Sequence, residues 1–151
     1  MSTRRTSYPL PQQMRGLSLI ELIVVLCIVG ILALVAQPVW TQQVHKSRRT
    51  DALSSLAQVQ LAQERWRSLN PSYSAELGAQ GLGLGTSSAH GHYTLTLELI
   101  EGGYRVSANA QGAQAKDRPC QIIRLEVQHA HTRYLAQDEQ GRDSAASCWP
   151  Q

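Results

Sequence analysis

The chain changes its hydrophobic period twice, and each change marks a different kind of element. From Leu17 to Ala36 there are 20 consecutive positions of which only Ser18 and Glu21 are frankly polar. A helix of that length, at about 1.5 Å per residue, spans the roughly 30 Å hydrocarbon core of a bilayer. After Pro38 the apolar residues thin to a stripe, with Ala52, Leu56, Val59, Gln63 and Trp66 spaced four, three, four and three apart. Leu53, Ala62 and Leu69 widen it, and Arg48, Arg49, Ser55, Gln58 and Arg65 fill the polar remainder. That is the pattern of an amphipathic helix continuing to about Leu69, closed by Asn70-Pro71. Pro38 has no amide hydrogen to give to Leu34, so a kink is expected there.

Residues 71–90 read as a connection, with glycines at 78, 81, 83 and 85. The G-L-G-L-G run lacks both the G-x-G-x-x-G spacing and the preceding strand of a phosphate cradle. From Tyr93 the period becomes two. Tyr93, Leu95, Leu97 and Leu99 alternate with Thr94, Thr96 and Glu98; E-G-G at 101–103 turns the chain, and Tyr104, Val106 and Ala108 alternate again. A third strand is expected around 120–127, with Ile123, Leu125 and Val127 on one face, and a fourth at 132–136. The tail 137–151 reads as polar loop. A sheet with one apolar face beside a half-covered helix implies that the helix packs on the sheet, an α+β architecture.

Glu21 is the anomaly of the apolar run. An ionisable group in a membrane segment costs roughly 2.5–3.5 kcal/mol on insertion scales and is normally paired. No Lys, Arg or His lies between Leu17 and Gln37. A cation arises only if the chain is cut before Leu17, exposing an α-amino group on this copy or a neighbour. Residues 1–16 carry Arg4, Arg5 and Arg15 and no acid, which by the positive-inside rule predicts a cytoplasmic N-terminus and an outward C-terminal part. A secretory signal places its cleavage site after the apolar region; here Gly16 precedes it.

R-G-L-S-L-I-E-L at 15–22 resembles the prepilin peptidase site of type IV pilins and pseudopilins. The resemblance implies cleavage after Gly16, N-methylation of Leu17, an assembly role for Glu21 and a helix bend at Pro38. It implies the pilin fold, a long kinked N-terminal helix on a small antiparallel sheet of about four strands. The expected segments are a leader at 1–16, a transmembrane and filament-core half at 17–38, an amphipathic half at 39–69, a connecting loop at 70–92, and a sheet with a disulfide-bounded C-terminal region at 93–151. Y-R-V-S, C-Q-I-I-R-L and the terminal S-C-W are similar to PilE-like minor pilins of Gram-negative bacteria. The partners implied are other pilin subunits, a prepilin peptidase, the inner-membrane assembly platform and membrane lipid.

The net charge of +3 comes from 14 basic and 11 acidic residues. Three of the basic residues belong to the leader, so the mature chain balances 11 cations against 11 acids and promises no whole-protein attraction to polyanions. Cys27 lies in the apolar run and acts as a small apolar group. Cys120 and Cys148 fall in the part expected to face the oxidising periplasm, where a disulfide is the expected state. Closing a loop of about 29 residues contributes roughly 3–4 kcal/mol in the chain-entropy picture. No C-x-x-C or H-x-x-x-H spacing suggests a metal, and no cofactor is implied.

His90/His92 and His129/His131 form two H-x-H pairs that read as exposed histidines. No nucleophile, base and orienting acid assemble from the sequence, so the chain is expected to be the substrate of a peptidase and not an enzyme. Lys46, Arg48 and Arg49 read as a solvated helix face touching neighbouring subunits or lipid headgroups, or else as a DNA-contacting patch. Tyr134 and Trp149 are candidates for stacking on bases. The leading expectation is a minor structural subunit of a type IV pilus. The alternatives are a type II secretion pseudopilin and a DNA-binding pilin for natural transformation.

Overall fold

The computed structural model describes residues 18–150, without the side chains of 35–38. Gly16 and Leu17 therefore lie outside the described residues, as do the side-chain surroundings of Pro38. The chain divides into two compact units, with the boundary between Pro38 and Val39.

In the first unit, helix α1 (Leu19–Leu69) begins at Leu19, and Leu22 N–H donates to the Ser18 carbonyl at 3.1 Å. Its large apolar side chains from Leu19 to Leu34 are all exposed. This is a helix long and apolar enough to cross a membrane, with no part of the apolar window buried in the chain's own fold.

In the second unit the remainder of α1 packs on a four-stranded antiparallel meander. Its strands are β1 (Tyr93–Ile100), β2 (Gly103–Ala110), β3 (Ile122–Gln128) and β4 (His131–Gln137), paired in that order. The period-two residues meet the helix stripe directly: Tyr93, Tyr104, Val106, Ile123, Ala52, Leu56 and Val59 are all fully buried. Each large apolar side chain so placed contributes about 1.5–3 kcal/mol.

The stripe is less regular than its spacing. Trp66 is only half-buried and Leu69 is 86% exposed, both lining an open groove with Leu61 of the helix and Leu82 and Leu84 of the connecting loop. Gln63 is fully buried and clasps the connecting loop, its amide donating to the Ser74 carbonyl at 2.8 Å while its Oε1 accepts from Ser74 N–H at 3.0 Å. Ser55 sits inside, not on the polar face, its hydroxyl returned to the Asp51 carbonyl at 2.7 Å. The loop then coils tightly, with Leu82 N–H reaching the Glu76 carbonyl and Leu84 N–H the Leu77 carbonyl. Gly81 is required there, since a Cβ would collide with the Glu76 carbonyl oxygen.

The third strand starts at Ile122, later than expected. Cys120 closes a 3-10 turn (Arg118–Cys120) that follows another at Gly112–Lys116. The tail is not all loop either, since Ala145–Cys148 forms the short helix α2. A disulfide joins Cys120 to Cys148, Cα atoms 5.8 Å apart, and both residues are buried.

Asp51 ties the end of the connecting loop to the helix. Its carboxylate accepts from Ser88 Oγ at 2.5 Å, from the backbone N–H of His90 and His92 at 3.2 and 3.4 Å, and meets His90 Nδ1 at 3.1 Å. Burial is the largest single influence and pushes this carboxyl up. The donors from Ser88, His90 and His92 together outweigh it and hold the group below its ordinary range. A carboxylate depressed in the fold stabilises it above the unfolded-state pKa, and the contribution drains as pH falls through the folded-state value. Asp51→Asn, which turns an NH2 toward those donors, is thus expected to cost about 1–3 kcal/mol at neutral pH. Urea melts should show the gap to wild type narrowing in strong acid; a gap independent of pH would contradict the clamp.

Candidate nucleic-acid interface and assembly segment

Glu21 lies in the first turn of α1 among exposed apolar side chains, with no ion-pair partner among the described residues. An exposed apolar helix carrying one unpaired carboxylate is complete only against other helices or lipid.

The basic helix residues that looked like one patch are separated by the fold. Arg49 turns inward: Nε and Nη2 grip the two oxygens of Asp117 at 2.7 and 2.8 Å, and Nη1 donates to the Ser147 carbonyl at 2.8 Å. Both partners are largely buried, 13% and 3% exposed by side chain. The Asp117 hydrogen bond raises the Arg49 pKa further above its ordinary value, more than burial lowers it. Each of its three nitrogens donates to a partner within the fold, so Arg49 is a structural cation and is removed from the DNA-facing set. Lys46 stays exposed and Arg48 half-buried.

Arg49 is one spoke of a polar hub. Gln114, fully buried, donates to Tyr93 Oη and Asp117 Oδ2 at 3.0 Å and to the His45 carbonyl at 3.2 Å, and its Oε1 faces His45 Nδ1 at 3.2 Å. Burial, offset in part by the Gln114 hydrogen bond, pushes the Tyr93 phenol up to about 12, so it stays a neutral acceptor. The hub seats the 3-10 turns on α1. Asp117 points inward while its neighbours Lys116 and Arg118 point out.

The sheet face turned away from α1 carries a second set of charges. Cross-strand register places Glu98, Arg105, Glu126 and Arg133 in one row across all four strands. Arg105 holds Glu126 through Nη2 at 2.8 Å and Glu98 through Nη1 at 3.5 Å, and Arg133 reaches Glu126 at 3.5 Å. In the next row Arg124 meets only Ser107 Oγ, through Nε at 3.1 Å, and has no carboxylate partner among the described residues. Three guanidiniums thus face two carboxylates, beside the hydroxyls of Thr96 and Ser107 and the amide of Asn109. Two of the arginines, Arg124 and the 62%-exposed Arg133, are free or weakly held. The signal was in the sequence, since the residues alternating with Tyr104, Val106, Ile123 and Leu125 include Arg105 and Arg124.

Tyr134 and Trp149 pair with each other at 4.6 Å between ring centroids. The Trp149 indole N–H donates to the Leu135 carbonyl at 3.0 Å, leaving Tyr134, 53% exposed, as the open ring. His90 and His92 stack at 6.2 Å, while His129 and Ala130, both at positive φ, turn β3 into β4. Among the described residues, no three His, Cys, Asp or Glu side chains are grouped to hold a metal.

A long N-terminal helix, apolar and uncovered in its first half and packed on a four-stranded meander in its second, with a disulfide-bounded tail, defines a type IV pilin subunit. A family model described as "Type IV minor pilin ComP, DNA uptake sequence receptor" matches residues 38–124, more than half of the chain. The chain belongs to this family of minor pilins. Among curated proteins, none matches it.

Proposed function

We propose that this minor pilin serves DNA uptake, capturing duplex DNA on the outer face of its sheet while its N-terminal helix anchors it first in the membrane and then in the filament. The observation that carries the reading is the match across residues 38–124 to a family described as a DNA uptake sequence receptor. It favours the pilus over a secretion pseudopilus, and DNA uptake over adhesion or twitching as the service of the filament. Arg124, Arg133 and Arg105 supply phosphate contacts, and the neighbouring hydroxyls and Asn109 fix register. The Glu98 and Glu126 carboxylates hold the arginines flat against the sheet and temper non-specific attraction.

Assembly follows from the first half of the chain. The leader keeps the N-terminus cytoplasmic and the sheet domain periplasmic in a Gram-negative envelope. Prepilin peptidase cuts between Gly16 and Leu17, Leu17 is N-methylated, and the assembly platform adds the subunit to the pilus. Glu21 then pairs with the α-ammonium of a neighbouring subunit. A head-to-tail contact of this kind, which does not close, builds a filament.

Fluorescence anisotropy with residues 39–151 and a labelled duplex tests the DNA contact. This unit carries its own core and disulfide. Binding should weaken with salt, and Arg124→Gln with Arg133→Gln should lower the salt slope by about 1 per residue lost. Unchanged affinity and slope in the double variant would remove the outer face as the DNA site.

A further inference from the structure

We infer that the cleft between residues 39–49 of α1 and the turn at 116–119 is a headgroup site for an anionic phospholipid of the leaflet from which the sheet domain emerges. Gln42, Gln43 and Lys46 line it from the helix, and Lys116, Arg118 and Pro119 from the turn. Its charge is one-sided. Lys46 and Lys116 have no carboxylate partner among the described residues, and Arg118 has only a solvated contact with Glu139 at 3.5 Å. Asp117, the acid between Lys116 and Arg118, cannot neutralise them, because Arg49 and Gln114 occupy its oxygens. Three cations therefore line a cleft floored by an already satisfied ion pair, which suits a phosphodiester.

Chain position identifies the source of that phosphate. The cleft begins at Val39, immediately after the membrane-length apolar half. Val39 and Trp40 are 68% and 73% exposed, and a Trp at this point is the usual marker of the membrane–water interface. Lys46 lies only about 10 Å of helix rise beyond Val39, within snorkelling reach of the headgroup layer. The outer sheet face lies on the side of the sheet away from α1, so the two anion sites are separate surfaces. A headgroup held here orients the domain on the membrane before assembly, and the contact is released when the subunit leaves the bilayer.

The full chain, ejected by native mass spectrometry from micelles containing equal phosphatidylglycerol and phosphatidylcholine, reads this out. Wild type should retain phosphatidylglycerol in preference. The triple variant Lys46→Gln, Lys116→Gln, Arg118→Gln should carry one phosphatidylglycerol fewer, while Arg124→Gln with Arg133→Gln should match wild type. Inorganic phosphate added in excess should leave the retained lipid in place; its displacement would mean that the cleft is a site for free phosphate. No preference in wild type, or the same lipid count in the triple variant, would overturn the inference. So would a triple variant that loses duplex binding but keeps its lipid, which would make the cleft a nucleic-acid site.

Discussion

Asp117→Ala is expected to destabilise the folded domain by about 3–5 kcal/mol, the usual cost of leaving one partner of a buried ion pair alone. The substitution strands the Arg49 guanidinium, which is only 13% exposed, and removes an acceptor from buried Gln114. It also frees the two 3-10 turns from α1, and with them the tail that Arg49 holds through the Ser147 carbonyl. Thermal melts under oxidising conditions, where the Cys120–Cys148 bridge is kept, should show the loss in full. Arg49→Met with Asp117→Leu should recover much of it, because an apolar pair of similar volume has no stranded charge. A single variant as stable as wild type would mean that the pair contributes little and that the disulfide alone seats the turn.

Glu21→Ala should abolish incorporation into pili while leaving membrane insertion and cleavage after Gly16 intact. Removing the carboxylate relieves the roughly 2.5–3.5 kcal/mol insertion cost, so the helix enters the bilayer at least as well. On the proposed pairing, what is lost is the charge that matches a neighbour's α-ammonium and sets the axial register of otherwise featureless apolar helices. Immunoblots of sheared pili against the membrane pool measure it directly, and normal recovery of the variant in pili would sink the pairing.

The two period changes made most of the fold legible. A 20-residue apolar run, a stripe at three and four, and alternation from Tyr93 each have one structural solution, and helix and strands fall where those patterns lie. Periodicity carries no information about which polar residue turns inward. Arg49 and Ser55 share the polar side of the stripe with Arg48 and Gln58, yet Arg49 is drawn in by Asp117, 68 residues away, and Ser55 is buried with its hydroxyl satisfied by the Asp51 carbonyl of its own helix. Asp51 and Gln63 are buried because each answers backbone groups of a loop whose path no local pattern specifies. Gln114 is buried because it answers the His45 carbonyl of α1 and the side chains of Tyr93 and Asp117. The third strand begins after Cys120 because Pro119 and Asp117 favour a 3-10 turn that the hub then fixes to α1. The outer-face row was half-legible: alternation places Arg105 and Arg124 outside, but only cross-strand register sets Glu98, Arg105, Glu126 and Arg133 side by side.

Deleting the gene in its own bacterium, then counting surface pili and measuring uptake of fluorescent duplex DNA, tests whether this minor pilin captures DNA. Pili should persist while uptake is lost. Wild type should restore uptake, and the Arg124→Gln, Arg133→Gln variant should restore it poorly although it still enters pili. Uptake at the normal level in the deletion strain would mean that this pilin does not serve DNA capture.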